Sequence, residues 1–350
     1  MSESTDLPFD TTGALVLADQ GQFDPLAYLD GLAHELDSMP NATVHEGSSV
    51  TSIRGLGRQT VSTSSGSVRA DTVIVCTLMP IVDRGLFFAR GEPKMSYTIA
   101  AEIGGDLPTG MYLGAGEPTR SLRTAWNANR QVLLIGGGGH VVGRQSDTLA
   151  EYRQLEEWTA ERFDVERVVA RWSAHDIVPD DQLPWVGPAS PLTPNVLVAA
   201  GFAKWGMTNA TAAAHLLGDR VMEREEAASS MWSSAFDTER VPPRAPHETA
   251  RINAGVAASM VRGWLERHPS GAGEGAVRRS GLVPRGRSEG ATGELGERSL
   301  VCSHLGGICT WNDAERSWDC PLHGSRFASD GTVVAAPAVR PMGHTPIPRP

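Results

Sequence analysis

Apolar positions along the chain recur with two periods. After Asp24-Pro25, which reads as a helix cap and first helical position, Leu29, Leu32 and Leu36 fall on one helical face. Residues 44–53, 60–65 and 71–76 read as short strands parted by glycine-rich turns, and 97–103 and 132–135 as further β-prone runs. Thr148-x-x-Glu151 predicts a capping box for a helix through Trp158. Residues 195–200 form a buried-strand pattern closed by Gly201, and the small residues of 210–217 predict a helix after it.

Pro242, Pro243 and Pro246 mark a boundary. Beyond it Ile252, Val256, Met260 or Val261, and Leu265 predict a helix that docks one face on a neighbour. Residues 271–296, rich in Gly, Arg and Ser, read as loop or weak strand, and the chain is β-like from Leu300 onward. The mixture is α/β or α+β, and it is not a repeat array.

Composition narrows the classes. With 350 residues there is room for two or three domains, and 40% hydrophobic with 21% charged residues describes a soluble globular protein. The net charge is −10, yet the segment from Glu266 onward holds ten arginines against nine acidic residues. The acidity therefore lies earlier, which argues against nucleic acid or an anionic membrane as partner. Four cysteines, no leader pattern at Met1 and no apolar run long enough for a bilayer give a cytoplasmic expectation.

The chemistry concentrates near the C-terminus. Cys302-Ser-His304 is followed, fifteen residues later, by Cys320-Pro-Leu-His323. Two thiolates and two imidazoles, one of each per loop, are what a Rieske [2Fe–2S] centre requires: Cys₂ on one iron and His₂ on the other. A structural zinc site uses the same residue types, although its pairs more often run Cys-x₂₋₄-Cys and His-x₃₋₅-His. Both metals stay open on spacing alone, with iron–sulfur favoured.

The surroundings His304-Leu-Gly-Gly307 and His323-Gly-Ser325-Arg-Phe327 resemble the two cluster loops of the Rieske family. The resemblance implies that Ser325 donates a hydrogen bond to cluster sulfur, which raises the potential. It also implies that the bracing disulfide of the respiratory type is absent, since Gly307 and Leu322 stand at its positions. Cys309, close to the first loop, reads as a small buried hydrophobe.

The N-terminal portion is similar to the D-amino-acid oxidase-like, FAD-dependent oxidoreductases. The likeness rests on Gln22-Phe-Asp-Pro25-Leu-Ala-Tyr-Leu-Asp-Gly-Leu32, Arg171-Trp-Ser-Ala-His-Asp176, Asp181-x-Leu-Pro-x-Val-Gly187 and Gly201-Phe-x-Lys-Trp-Gly-Met-Thr208. The whole chain resembles the subgroup that fuses such a flavoprotein to a C-terminal Rieske domain. The implied fold is α+β/α/β: a truncated flavoprotein of mixed sheet and helices over 1–240, a linker helix over 241–268, and a small all-β Rieske domain over 269–350.

The same resemblance supplies the cofactor residues. A strand, a sharp turn and a helix opening near Met207-Thr208 present free N–H groups that favour an anionic ring. Gly201, Phe202, Lys204, Trp205, Gly206, Met207 and Thr208 are thus implied to face the flavin, with Val50 against adenine and Cys76-Thr77 near the phosphates. Arg120, Arg123 and His140 fall in the implied substrate domain; solvated arginines and a loop histidine are the plainer reading. The family's strand–GxGxxG–helix unit is missing, and Gly136-Gly-Gly-Gly139 lacks its spacing. FAD is therefore expected to bind the chain alone weakly or not at all. Truncation is the favoured explanation, ahead of a partner chain supplying the missing half or a protein that uses only its cluster.

Two functions follow. One is an oxidoreductase whose cluster takes electrons from flavin-dependent oxidation of a small amine-like donor and passes them to an external carrier. The other is a non-catalytic Rieske electron-transfer module on a truncated flavoprotein scaffold without FAD. The sequence identifies no catalytic residue.

Overall fold

The computed structural model describes residues 5–222, 231–240, 245–265, 275–289, 293 and 295–343. The chain divides into two compact units, one gathering residues 5–47, 96–139 and 149–174 and the other 48–95, 140–148 and 175–343.

The first unit is built on most of a five-stranded sheet in the order Tyr112–Leu113, Arg120–Asn127, Arg130–Gly137, Gly91–Ile103, Val165–Pro179, of which residues 91–95 and 175–179 belong to the second unit. Its central hairpin pairs Leu122 with Ile135 and Thr124 with Leu133; Val132, Leu133 and Ile135 lie in the core and Leu134 is half-buried. Helix Leu149–Ala160 buries Tyr152 and Leu155. Helix Pro25–Ser38 forms as expected, with the Asp24 carboxylate accepting the N–H groups of Leu26 and Ala27. Its leucine face is not covered, however: Leu29, Leu32 and Leu36 all remain exposed.

The second unit begins with a meander, Val50–Arg54, Gln59–Thr63 and Ser67–Ala70. Beside it lies a three-stranded sheet in which Val196–Ala200 is central, antiparallel to Trp185–Pro188 and parallel to Val73–Val75. All five residues of Val196–Ala200 are buried, as an apolar run of that length requires for a strand covered on both faces. Val73–Val75 ends that sheet among the described residues. Phe87, Ile177 and Trp185 fill the core beneath.

The C-terminal part of this unit holds two antiparallel sheets. One has the order Val277–Ser280, Val283–Glu289, Leu295–Ser299; the other has the order Thr310–Asn312, Ser317–Asp319, Arg326–Ala328, Val333–Ala335. The stretch read as loop or weak strand is therefore ladder over much of its described length. Arg285 pairs with both Arg278 and Ser299, and polar strand faces hid the periodicity.

Helix Ala245–Leu265 precedes these sheets. Pro246 lies in its first turn, where the missing N–H costs nothing, while Pro242 and Pro243 lie outside the described residues. The predicted docking face needs correction at its end: Val256, Met260 and Trp264 pack against the C-terminal core, whereas Val261 and Leu265 are exposed. The indole N–H of Trp264 donates to the Gly306 carbonyl at 3.1 Å, so the tryptophan displaces Leu265 as the anchor.

Candidate functional site

The two Cys/His loops share one backbone design. In the first, the Cys302 N–H donates to the Gly307 carbonyl and the Gly306 N–H returns to the Cys302 carbonyl. In the second, the Cys320 N–H donates to the Ser325 carbonyl and the Gly324 N–H returns to the Cys320 carbonyl. Each tight loop turns at a glycine with positive φ, Gly306 at +74° and Gly324 at +80°, a conformation in which a side chain is strained.

This design brings the predicted cysteines together, with Cys309 added, and the predicted histidines against each other. The sulfurs of Cys302, Cys309 and Cys320 lie within 4.8 Å of one another, all buried. The rings of His304 and His323 meet edge to face, 5.2 Å between centroids, and both are buried. Ser325, fully buried, accepts the Ala338 N–H on its Oγ at 3.0 Å, which leaves its own proton to donate. The donor set, two soft sulfurs beside two imidazoles in a glycine cradle, fits a [2Fe–2S] cluster.

Gly307 and Leu322 face each other. A Cβ on Gly307 would stand 2.6 Å from Leu322 Cδ1 and 3.1 Å from Cys320 Sγ, so the leucine fills the space opposite a bare backbone. Cys309 is buried as expected, but its sulfur does more than fill space. Hydrogen bonding from Cys309 and then Cys320 holds Cys302 toward the thiolate, while burial pushes the Cys309 thiol up.

Segments far away in sequence grip the second loop. A Cβ on Gly143 would fall 2.7 Å from the Asp319 carbonyl oxygen, and Arg144 Nε donates to the Pro321 carbonyl. Pro93 and His175 line the space at Gly324. Phe88 stands edge-on to His323 at 5.1 Å and to His304 at 6.0 Å. Behind the loops a buried Arg326–Asp319 ion pair is completed by Ser317 and Asn312. Neither Phe88 nor Arg144 carries a sequence signal, since each matters through where the fold delivers it; His175 belongs to the motif Arg171-Trp-Ser-Ala-His-Asp176, which says nothing of its place beside Gly324.

The strand–turn–helix forms as predicted. Strand Val196–Ala200 leads through Gly201 to helix Gly206–Val221, whose first turn has no side-chain cap. Two consecutive residues of the turn, Ala203 and Lys204, hold positive φ of +51° and +74°. Non-glycine residues persist in that region only when their surroundings fix them. The Asp176 carboxylate does so by accepting the Lys204 N–H at 2.5 Å and the Ile177 N–H at 2.7 Å. Burial raises the Asp176 carboxyl.

Of the remaining sequence candidates, Phe202, Gly206 and Met207 are half-buried and Lys204, Trp205 and Thr208 exposed around that turn. Val50 opens the meander, half-buried, and Cys76-Thr77 follows the edge strand with Cys76 exposed. His140 follows the glycine run and Arg123 is half-buried. Arg120 departs from the solvated reading: it is 9% exposed, and its Nε has no protein acceptor among the described residues.

Residues 2–220 match the family model described as FAD dependent oxidoreductase, and 285–347 match the Rieske [2Fe-2S] domain. The chain belongs to the FAD dependent oxidoreductase family. It carries a C-terminal Rieske domain, and these two domains imply FAD and a [2Fe-2S] cluster as cofactors. Among curated relatives, the Rieske 2Fe-2S iron-sulfur protein YhfW of Bacillus subtilis (strain 168) is 33% identical over 347 residues, 96% of this chain and 67% of that protein. The chloroplastic cytochrome b6-f complex iron-sulfur subunit of Bigelowiella natans is 46% identical over 44 residues, 13% of this chain and 18% of that one. Glycine oxidase from Geobacillus kaustophilus aligns over 57% of this chain and 54% of its own, at 19% identity and a TM-score of 0.45. The chain thus spans about half the length of that oxidase. No described helix is long and apolar enough to cross a membrane.

Proposed function

We propose that this oxidoreductase relays electrons from a flavin-dependent oxidation of a small amine-like donor to an external carrier, through a cluster held by Cys302, His304, Cys320 and His323. One observation carries the reading: both imidazoles are buried beneath Phe88, within the unit that also contains the Gly201–Thr208 turn. A histidine edge turned toward the oxidoreductase part suits exchange inside the chain. The domain division expected from sequence, 1–240, 241–268 and 269–350, is retained as part of this proposal.

Bound FAD supplies a two-electron hydride acceptor, and a bound cluster supplies one-electron steps at a potential raised by its neutral imidazole ligands. The chain's own residues do the rest. The uncapped helix start at Gly206–Thr208 offers N–H dipoles to an anionic ring edge, with Gly201 and Phe202 shaping the approach. Asp176 locks the turn that presents Lys204 and Trp205. Val50, Cys76 and Thr77 are proposed for the adenine and phosphate end. Ser325 donates toward the cluster, and Phe88 keeps water from the imidazoles.

The second reading, an electron-transfer module that holds no flavin by itself, draws on the absence of any GxGxxG from the 350 residues. A partner chain that supplies a GxGxxG unit is a variant of it. Visible absorption of anaerobically purified protein, before and after dithionite and then with candidate amines, tests both. The expected result is bleachable Rieske-type bands. A retained flavin peak with amine-dependent bleaching supports the full relay, cluster bands alone support the module, and a colourless zinc protein overturns both. Cys302→Ser and His323→Ala are each expected to abolish the Rieske spectrum.

A further inference from the structure

The sulfur of Cys309 is fixed where it is by the backbone on either side. Its own N–H donates to the Leu300 carbonyl at 2.9 Å, and Val301 bridges to Ile308 just before it. Immediately after it, the Thr310 hydroxyl is shared between the Gly143 and Asp319 carbonyls at 2.9 and 3.3 Å. The side chain is 1% exposed, and its core neighbours include Leu300, Ile308, Leu322 and Phe327, none of which offers a side-chain acceptor. Within 4.8 Å stand the sulfurs of Cys302 and Cys320. Neither packing nor ladder formation requires a thiol here, since an aliphatic side chain would satisfy both.

We propose that Cys309 is a positioning residue for the cluster, its thiol proton directed onto the Cys302–Cys320 sulfur pair so that the reduced cluster is stabilised. The inference rests on the proposed ligand set. Reduction adds one electron, and hence one negative charge, to a buried group whose sulfurs carry much of it. A hydrogen bond to those sulfurs favours the more negative state and raises the potential. The S–H donor is weak, but the surroundings are dry, and a dipole acts there with little screening. Cys309 itself takes no part in iron binding in this scheme.

The test uses the full chain with its cluster, comparing wild type, Cys309→Ala, Cys309→Val and Cys309→Ser. Iron content, EPR signature and midpoint potential are read for each. The expected result is an unchanged EPR signature throughout, a potential shifted negative in the Ala and Val variants, and a smaller shift in Ser, which keeps a donor. Two apolar variants of different size separate loss of the donor from loss of packing. An unchanged potential in both overturns the proposal and leaves Cys309 as filler. Loss of the two-histidine EPR signature in Ala, Val and Ser alike also overturns it, because Cys309 would then be a ligand. If the wild type itself lacks that signature, the ligand set has failed first, and the two failures are told apart.

Discussion

Phe88 presents its ring to His323 at 5.1 Å between centroids and an interplanar angle of 74°, with His304 on the same ring at 6.0 Å. A single aromatic side chain thus covers both imidazoles that would hold the second iron. Its neighbour Phe87 is locked against Trp185 at 5.2 Å, which leaves the short helix Phe87–Arg90 little freedom to swing away.

Replacing Phe88 by Ala should uncover the histidine edge at a cost of about 3 kcal/mol in stability. The reduced cluster of Phe88→Ala should be reoxidised by ferricyanide several-fold faster than wild type in stopped-flow bleaching, while Phe88→Leu stays close to wild type. Equal rates in all three proteins would mean that the ring does not guard the cluster.

His175 gives a pH signature. Its Nε2 is buried with no hydrogen-bond partner among the described residues, and its pKa is pushed down to about 4. Burial is the main cause, Arg326 adds to it, and Asp319 works against them. A histidine kept neutral in the fold contributes stability that is complete above its ordinary value near 6.5 and is lost as pH falls from there toward 4. The loss amounts to about 3 kcal/mol over that window. Urea midpoints at pH 7 and pH 4.5 should therefore fall further for wild type than for His175→Gln. Parallel falls would show that His175 does not set the acid limb.

The cluster loops were legible because their chemistry is local. One intervening residue links Cys302 to His304 and two link Cys320 to His323, and the tight turns announce themselves through glycine. The helix at Ala245–Leu265 was legible in its period but not in its last contact, since choosing Trp264 over Leu265 depends on where the Gly306 carbonyl lies. The ladder through Val283–Glu289 was not legible, because its arginines and serine mask the alternation on which strand reading depends. Phe88 and Arg144 gain their roles only by convergence in space of segments more than a hundred residues apart, and Cys309 gains its role by the meeting of the two cluster loops on either side of it.

Ser325 should tune the cluster as its position implies. Its Oγ accepts the Ala338 N–H at 3.0 Å and its proton is left to donate. Ser325→Ala removes that donor and strands a buried N–H, which costs about 1–3 kcal/mol. The midpoint potential should shift negative with the EPR signature retained. An unmoved potential would place the hydroxyl in a purely structural role.

Gly307 and Leu322 offer a compensation test that reads the cluster and the stability separately. A methyl group on Gly307 would overlap Leu322 Cδ1 at 2.6 Å and crowd Cys320 Sγ at 3.1 Å. Leu322 is 1% exposed and cannot retreat into solvent, so the strain must fall on the second loop. Gly307→Ala should cost about 1–3 kcal/mol and lower the iron retained per chain, because Cys320 is displaced. Truncating the opposing side chain returns the space. In Gly307→Ala combined with Leu322→Ala the iron content should recover toward wild type. The thermal midpoint should not recover with it, since removing a buried leucine costs about 2–5 kcal/mol. Iron content and thermal stability would then move in opposite directions between the single and double variants. If they fall together instead, Leu322 matters to the loop through its burial alone and not by yielding to Gly307.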